Sequence, residues 1–249
     1  MNFSQDELLR YKRNVLLPGV GLEGQAKLAQ AKVLVVGSGG LGSPVDYYLA
    51  AAGIGTIGIV DADCVDLSNL QRQILHSTDD LGRPKVLSAA EKLRKLNPHI
   101  KVIPHQEMVT TDNVLEIIED YDVVVDATDN FPVRFALNDA CVVTKKPFFH
   151  GGVLAFYGQA LTYIPGQGPC YRCIFRQPPP VGAAPTSAEI GILGAVAGTI
   201  GVIEANEVIK YILGVGRLLV GRILTYDALE MKFNEVEVGA DPHCAACGN

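Results

Sequence analysis

Residues able to do chemistry fall into four groups along this chain. The first is the run Gly37-Ser38-Gly39-Gly40-Leu41-Gly42, which follows the apolar stretch 33–36 and spells G-x-G-x-x-G. Gly37 permits a tight turn, Gly39 lets backbone N–H groups approach a phosphate, and Gly42 lets the next helix pack close to the sheet. The helix N-terminus itself favours negative charge. Asp61 lies 19 residues beyond Gly42, at the end of the second apolar stretch. There a carboxylate can accept hydrogen bonds from ribose hydroxyls. NAD and an adenine mononucleotide both satisfy this pattern.

The second group separates them in part. The segment 66–76, DLSNLQRQILH, places Asn69, Gln71, Arg72 and Gln73 just after the second strand, Lys85 opens a helix beyond Gly82-Arg83-Pro84, and Arg13 lies in the N-terminal arm. A dinucleotide carries two phosphates held largely by backbone amides. Three cations near one crevice suit a more highly charged polyphosphate. Taken singly, Lys85 and Arg13 read better as solvated surface residues.

In the third group, Asp126 and Asp129 close the apolar stretch of VVVDATDN. A carboxylate at the carboxyl end of a strand suits Mg²⁺, a hard ion bound by few carboxylates plus phosphates. Asn130 and Asp129 are also natural caps for a helix from 131. The fourth group is two C-x-x-C pairs, Cys170 with Cys173 and Cys244 with Cys247. Four thiolates in such pairs make a closed tetrahedral zinc site, which is structural because no coordination position stays open. Two vicinal redox pairs are the competing reading, and neither stands at the start of a thioredoxin-like helix. Cys64 and Cys141 read as small buried residues, and His243 as a bystander.

These groups need a frame. The pattern predicts helix over 4–30, partly detached and opened by a Ser4/Glu7 capping box. Strands at 33–36, 56–60, 101–105, 123–126 and 147–150 then alternate with helices at 41–52, 85–96, 112–119 and 130–145. That is an α/β chain with a doubly wound, mostly parallel sheet. Beyond 150 the pattern changes. YGQALTYI, GRILTYDA and KFNEVEV read as antiparallel strands, 176–189 as a flexible Pro/Ala-rich loop, and 190–213 as a buried helix. The chain has 249 residues, 48% of them hydrophobic, and a net charge of -6. A single large domain is expected, and neither nucleic acid nor an anionic membrane is favoured as a partner. The polar N-terminus carries no signal-peptide pattern, so a cytoplasmic location is expected.

The set RYKRN, GSGGLGS, DAD, SNLQRQ, RPK, DATDN, CYRC and CAAC resembles the ubiquitin-activating E1-like superfamily, in particular its MoeB, ThiF and HesA branch, over the whole chain. The resemblance implies a modified Rossmann fold that binds Mg-ATP and adenylates the C-terminal Gly-Gly carboxylate of a small ubiquitin-like sulfur-carrier protein, releasing pyrophosphate. It implies that Gly37, Gly39 and Gly40 lie against the nucleotide and that Asp61 holds the ribose. Ser68, Asn69, Gln71 and Arg72 would contact ATP, Arg72 and Lys85 would neutralise phosphates, and Asp129 would hold Mg²⁺ beside Asn130. Arg13 would reach the other subunit's site of a homodimer, and Cys170, Cys173, Cys244 and Cys247 would bind zinc. Many relatives carry a cysteine in the loop before the long apolar helix. Here Ser187 stands at about that position, which argues against a covalent sulfur step on this chain. The chain stops at the second cysteine pair, so the expected sulfur donor is a separate protein.

Overall fold

A computed structural model describes residues 3–180 and 187–248. Helices α1 (Gln5–Arg10), α2 (Lys12–Val15) and α3 (Gly21–Gln30) form the arm. The capping box is present, with Glu7 N donating to Ser4 Oγ at 3.2 Å and Ser4 N to Glu7 Oε2 at 2.8 Å. The arm is not one helix, because Pro18 and Gly19 interrupt it, the proline lacking the N–H that a continuing helix needs. Nor is it detached. Tyr11 is 3% exposed, its hydroxyl accepts from Asn97 Nδ2 at 2.8 Å, and its ring lies against Gly53.

After the arm, strands β1 (Lys32–Val36), β2 (Thr56–Val60), β3 (Lys101–His105), β4 (Val123–Asp126) and β5 (Phe148–Leu154) alternate with α4 (Gly42–Ala52), α5 (Lys85–Leu96), α6 (Val114–Ile118) and α7 (Phe131–Thr144). Then follow β6 (Tyr157–Tyr163), α8 (Tyr171–Ile174), α9 (Ser187–Ile190), α10 (Gly194–Leu213), β7 (Arg222–Asp227) and β8 (Lys232–Glu237). All eight strands form one sheet in the order β3-β2-β1-β4-β5-β6-β7-β8. The five strands from β3 to β5 run parallel, and β5 through β8 pair antiparallel.

The parallel strands read as unbroken apolar runs because both faces are covered. Val33 and Val35 join one core with Leu49, Leu93, Ile200 and Val208. Leu34 and Val36 join the other with Ile118, Phe135, Leu137 and Tyr171. On the first face α4 packs on α10, close enough that a Cβ on Gly201 would lie 2.4 Å from the Leu41 carbonyl oxygen.

The long helix starts at Gly194, four residues later than the apolar pattern predicts. Residues 191–193 instead run beside Ala155, with Ala155 N donating to Gly191 O and Leu193 N to Ala155 O, both at 3.0 Å. Gly191 makes the bend at φ 81°, in the left-handed region that glycine enters without penalty. Residues 181–186, within the expected flexible loop, lie outside the described residues, and Ser187 opens the short α9. Among the described residues no helix is long and apolar enough to cross a membrane.

Candidate active site

The chain order places β2 and β3 on one side of β1 and β4 on the other. The carboxyl ends of β1 and β4 therefore diverge, which is where open α/β sheets bind ligands. A cavity of about 1430 Å³ occupies this position. Pockets for one small ligand usually measure roughly 300–1,000 Å³, so the volume exceeds what a single nucleotide requires. Gly37, Gly39, Gly40, Asp61, Lys85 and Arg72 line one end, Asp129 and Asn130 the middle, and Gly152, Tyr157, Thr225 and Asp227 extend it over the antiparallel strands.

Packing constrains two of the glycines. Gly37 has φ 98°, and a Cβ there would meet the Ala127 carbonyl oxygen at 2.7 Å. A Cβ on Gly42 would lie 1.9 Å from Gly37 O. Gly39 differs, since a Cβ there would make only ordinary contact, 3.6 Å from Gln73 Nε2. Its missing side chain leaves the cavity wall open to a ligand.

The Asp61 carboxylate ties the turn to β2. Its Oδ2 accepts from Ser38 N and its Oδ1 from Asp63 N, both at 2.9 Å. Lys85, the first residue of α5, donates from Nζ to Asp63 Oδ2 at 2.9 Å, and its side chain is 7% exposed. Lys85 is thus a buried cation in the cavity wall rather than a solvated surface residue. Arg72 is half-buried, with Nη1 donating to Ser68 O at 3.2 Å. Asn69 and Gln73 reach the same wall.

Three of the expected contacts lie elsewhere in the isolated chain. The Ser68 hydroxyl donates to Asp66 Oδ1, the carboxylate that caps the short turn Leu67–Asn69 by accepting from Ser68 N. Gln71 Nε2 is directed to Ile192 O at 3.5 Å. Arg13 is exposed on α2, outside the cavity lining.

Of the two carboxylates at the end of β4, Asp126 is the one whose oxygens are already taken. It is fully buried. Its Oδ2 accepts from Arg134 Nε at 3.0 Å and His150 Nδ1 at 2.8 Å, and its Oδ1 accepts from Thr128 N at 3.1 Å and Thr128 Oγ1 at 2.6 Å. Burial pushes this carboxyl upward, but Arg134 and His150 outweigh it and hold it below its ordinary value. Burial drives His150 down to about 4, so its ring is neutral. With its acceptor capacity used, Asp126 serves to fix the turn that follows. Asp129, on that turn, is exposed to the cavity. Asn130 is the helix cap, its Oδ1 accepting from Val133 N at 3.2 Å.

The four cysteines meet on the face of the sheet that α7 covers. Their sulfurs all lie within 4.8 Å of one another, with Cys170 to Cys244 at 3.6 Å, Cys173 to Cys247 at 3.4 Å and Cys170 to Cys173 at 3.9 Å. A tetrahedral zinc with bonds near 2.3 Å requires sulfurs about 3.8 Å apart, so the set fits that ion. His243 lies outside the cluster. Cys141 is buried, and burial raises its thiol well above its ordinary value. Cys64 is exposed rather than buried, because it lies in the loop after β2, bridged to Pro84.

The residues that sequence reasoning missed are Asp63, Arg134 and the polar positions of the C-terminal strands. Asp63 had one signal, its place in the DAD tripeptide after β2. Thr225, Asp227 and Asn234 had none, being ordinary polar residues on alternating strands.

Residues 11–247 match the ThiF family. The chain is 46% identical to the sulfur carrier protein adenylyltransferase of Thermus thermophilus, over 100% of this chain and 94% of that protein. It is likewise 46% identical to the SAMP-activating enzyme E1 of Haloferax volcanii, over 100% and 92%. It is 48% identical to the adenylyltransferase and sulfurtransferase MOCS3-2 of Zea mays, spanning 98% of this chain but about half, 51%, of that protein. Among solved structures, E. coli MccB with ATP superposes with a TM-score of 0.82 at 27% identity, covering 96% of this chain and 73% of that one. On this match over nearly its whole length, and on two full-length relatives, the chain belongs to the ThiF family.

Proposed function

We propose that this chain activates the C-terminal carboxylate of a small sulfur-carrier protein by transferring AMP from ATP to it. It is an adenylyltransferase of the E1-like ThiF/MoeB type; two relatives are named a sulfur carrier protein adenylyltransferase and a SAMP-activating enzyme E1. The observation that carries the reading is the single cavity at the β1/β4 switch point. One end offers a glycine turn, a carboxylate and two cations, and the remainder continues over the antiparallel strands with room for a peptide tail.

In the reaction a carboxylate oxygen of the carrier attacks the α-phosphorus of ATP. The bond from that phosphorus to the bridging oxygen breaks, and pyrophosphate leaves with the electron pair. No protein nucleophile is needed, so the chain contributes placement and charge neutralisation. The Gly37–Gly40 turn cradles the nucleotide and Asp61 meets the ribose. Arg72 and Lys85 offset the charge that develops on the departing pyrophosphate. Asp129 would hold Mg²⁺, which supplies further neutralisation when bound. Ser68, Asn69 and Gln71 border the nucleotide once it is seated.

Arg13 completes the site from the second subunit of a homodimer. Leu9, Leu16, Leu17 and Leu22 are each more than half exposed around it, which gives this arm an apolar face to bury against a partner. Zinc on the four cysteines fastens the C-terminal tail to the middle of the chain. Sulfur comes from a separate donor acting on the adenylate. An NAD-dependent oxidoreductase would leave Arg72, Lys85, Asp129 and the thiol cluster without a role.

The test is to incubate the protein with Mg-ATP and small proteins ending in Gly-Gly, quench, and weigh the carrier by mass spectrometry. A carrier bearing one AMP is expected. Recovery of every carrier at its original mass, with pyrophosphate still released, would assign the enzyme a different acceptor.

A further inference from the structure

Between the cysteine cluster and the cavity lies Tyr171, whose backbone belongs to the first and whose side chain borders the second. Tyr171 sits between Cys170 and Cys173 on α8 and is 1% exposed, yet its edge lines the cavity. Its backbone N–H donates to Asn138 Oδ1 at 2.8 Å. Asn138 lies one helical turn after Arg134 on α7, so both face the same side of that helix.

From there Arg134 reaches three groups. Its Nε donates to Asp126, its Nη2 donates to Thr128 O at 2.8 Å, and its Nη1 stands 3.5 Å from the Tyr171 hydroxyl. The guanidinium carbon is 5.8 Å from the Tyr171 ring centroid and 5.2 Å from that of Phe131, within cation–π range. His150, which also holds Asp126, packs edge-on against Tyr171 at 5.0 Å, and Phe175 stacks on its other side at 4.7 Å. The path from Cys170 to the Thr128-Asp129 turn therefore runs along the chain to Tyr171 and then through buried contacts to Arg134, ending on the partly buried bond to Thr128 O.

We propose that Tyr171 is a positioning residue that couples the four-cysteine metal site to the nucleotide site, through Arg134 and Asp126. A closed metal knuckle fixes the backbone on both sides of Tyr171. Tyr171 then holds Arg134 on Asp126 and Thr128, and that grip sets where Asp129 enters the cavity. Coupling of this kind is reciprocal: if the knuckle orders the Asp129 turn, Mg-ATP on that turn must tighten the knuckle by the same factor. The inference rests on the proposed Mg-ATP site and adds a second site linked to it.

The experiment reads zinc, not turnover. Zinc-loaded protein is mixed with excess chromogenic chelator, and the release rate is followed without nucleotide and with Mg-ATP, free Mg²⁺ being matched in both. Mg-ATP is expected to slow release from the wild type by about fivefold or more. Tyr171→Leu is expected to release zinc at one rate under both conditions. Where Tyr171→Leu does not fold, Tyr171→Phe serves, since it keeps the ring and is expected to keep only part of the protection. Equal rates for the wild type, with Mg-ATP binding seen by calorimetry, would overturn the coupling. Full protection in a folded Tyr171→Leu protein would overturn the role of Tyr171. Absence of Mg-ATP binding by calorimetry would instead overturn the nucleotide site and the coupling built on it.

Discussion

Lys85 Nζ donates to Asp63 Oδ2 at 2.9 Å across the wall of the cavity, with Asp61 Oδ2 3.8 Å away. Two carboxylates thus hold a buried ammonium ready before any phosphate arrives. A cation fixed in advance costs little reorganisation when charge develops on a leaving group, and such groups are worth about 10²–10³ in rate. Lys85→Met is expected to lower kcat for adenylation by that factor while the KM for ATP changes less. A rise in KM at constant kcat would mean that Lys85 serves ground-state binding alone. Arg72→Ala is expected to cost about 2–4 kcal/mol of transition-state stabilisation for the same reason.

Arg13 lies outside the cavity of its own chain. If it acts across a dimer, Arg13→Ala and Asp129→Ala chains should each be inactive alone and regain activity when mixed and allowed to exchange subunits. The mixed dimer holds one site with an intact Asp129 and an Arg13 supplied by the other chain. Mixtures that form heterodimers and stay inactive would remove Arg13 from that role.

Glu204 tests the electrostatics beneath the cavity. Its carboxyl is pressed against Gly151, where a Cβ would lie 2.3 Å from Oε2. Burial, with a smaller contribution from Asp126, raises its pKa well above the ordinary value, while Arg134 opposes the shift. An acid whose pKa is higher folded than unfolded holds its proton in the fold, so unfolding is favoured increasingly as pH rises above the unfolded value. Glu204→Gln removes the ionisation. Its gain in Tm over the wild type should be larger at pH 8 than at pH 5, with a slope of at most about 1.4 kcal/mol per pH unit. A gain independent of pH would show that the carboxyl does not titrate between the two states.

The thiol cluster joins residues 170–173 to 244–247 across one face of the sheet. Removing zinc from a closed four-thiolate site forfeits binding free energy that belongs to the folded state alone. Chelation is therefore expected to lower Tm and to expose the C-terminal tail to proteolysis. A metal-free protein with unchanged Tm would show that packing, not the ion, holds the tail.

Much of this architecture can be read before folding, and the reasons are local. Strands such as Val123–Asp126 bury both faces, so each reads as an apolar run, and the glycine or acidic residue closing it marks the ligand end of the sheet. Caps at Ser4, Asn130 and Gly53 are written within a few residues of their helices. What escapes depends on distant partners. Asp126 looks like a metal carboxylate until Arg134 and His150, 8 and 24 residues away, are seen to occupy it. The start of α10 is hidden because residues 190–193 are as apolar as the helix, and only their pairing with Ala155 shows the break. The cavity's far wall is hidden because Thr225 and Asp227 gain meaning only when β7 is laid beside β6.

The most direct measurement is carrier-dependent exchange of labelled pyrophosphate into ATP, made on the wild type and on Asp129→Ala. Reversible adenylation predicts label in ATP only when a Gly-Gly-tailed carrier is present. It also predicts loss of that exchange in Asp129→Ala while the variant remains folded and still binds the carrier. Exchange that needs no carrier, or that survives intact without the Asp129 carboxylate, would contradict the assignment of this cavity.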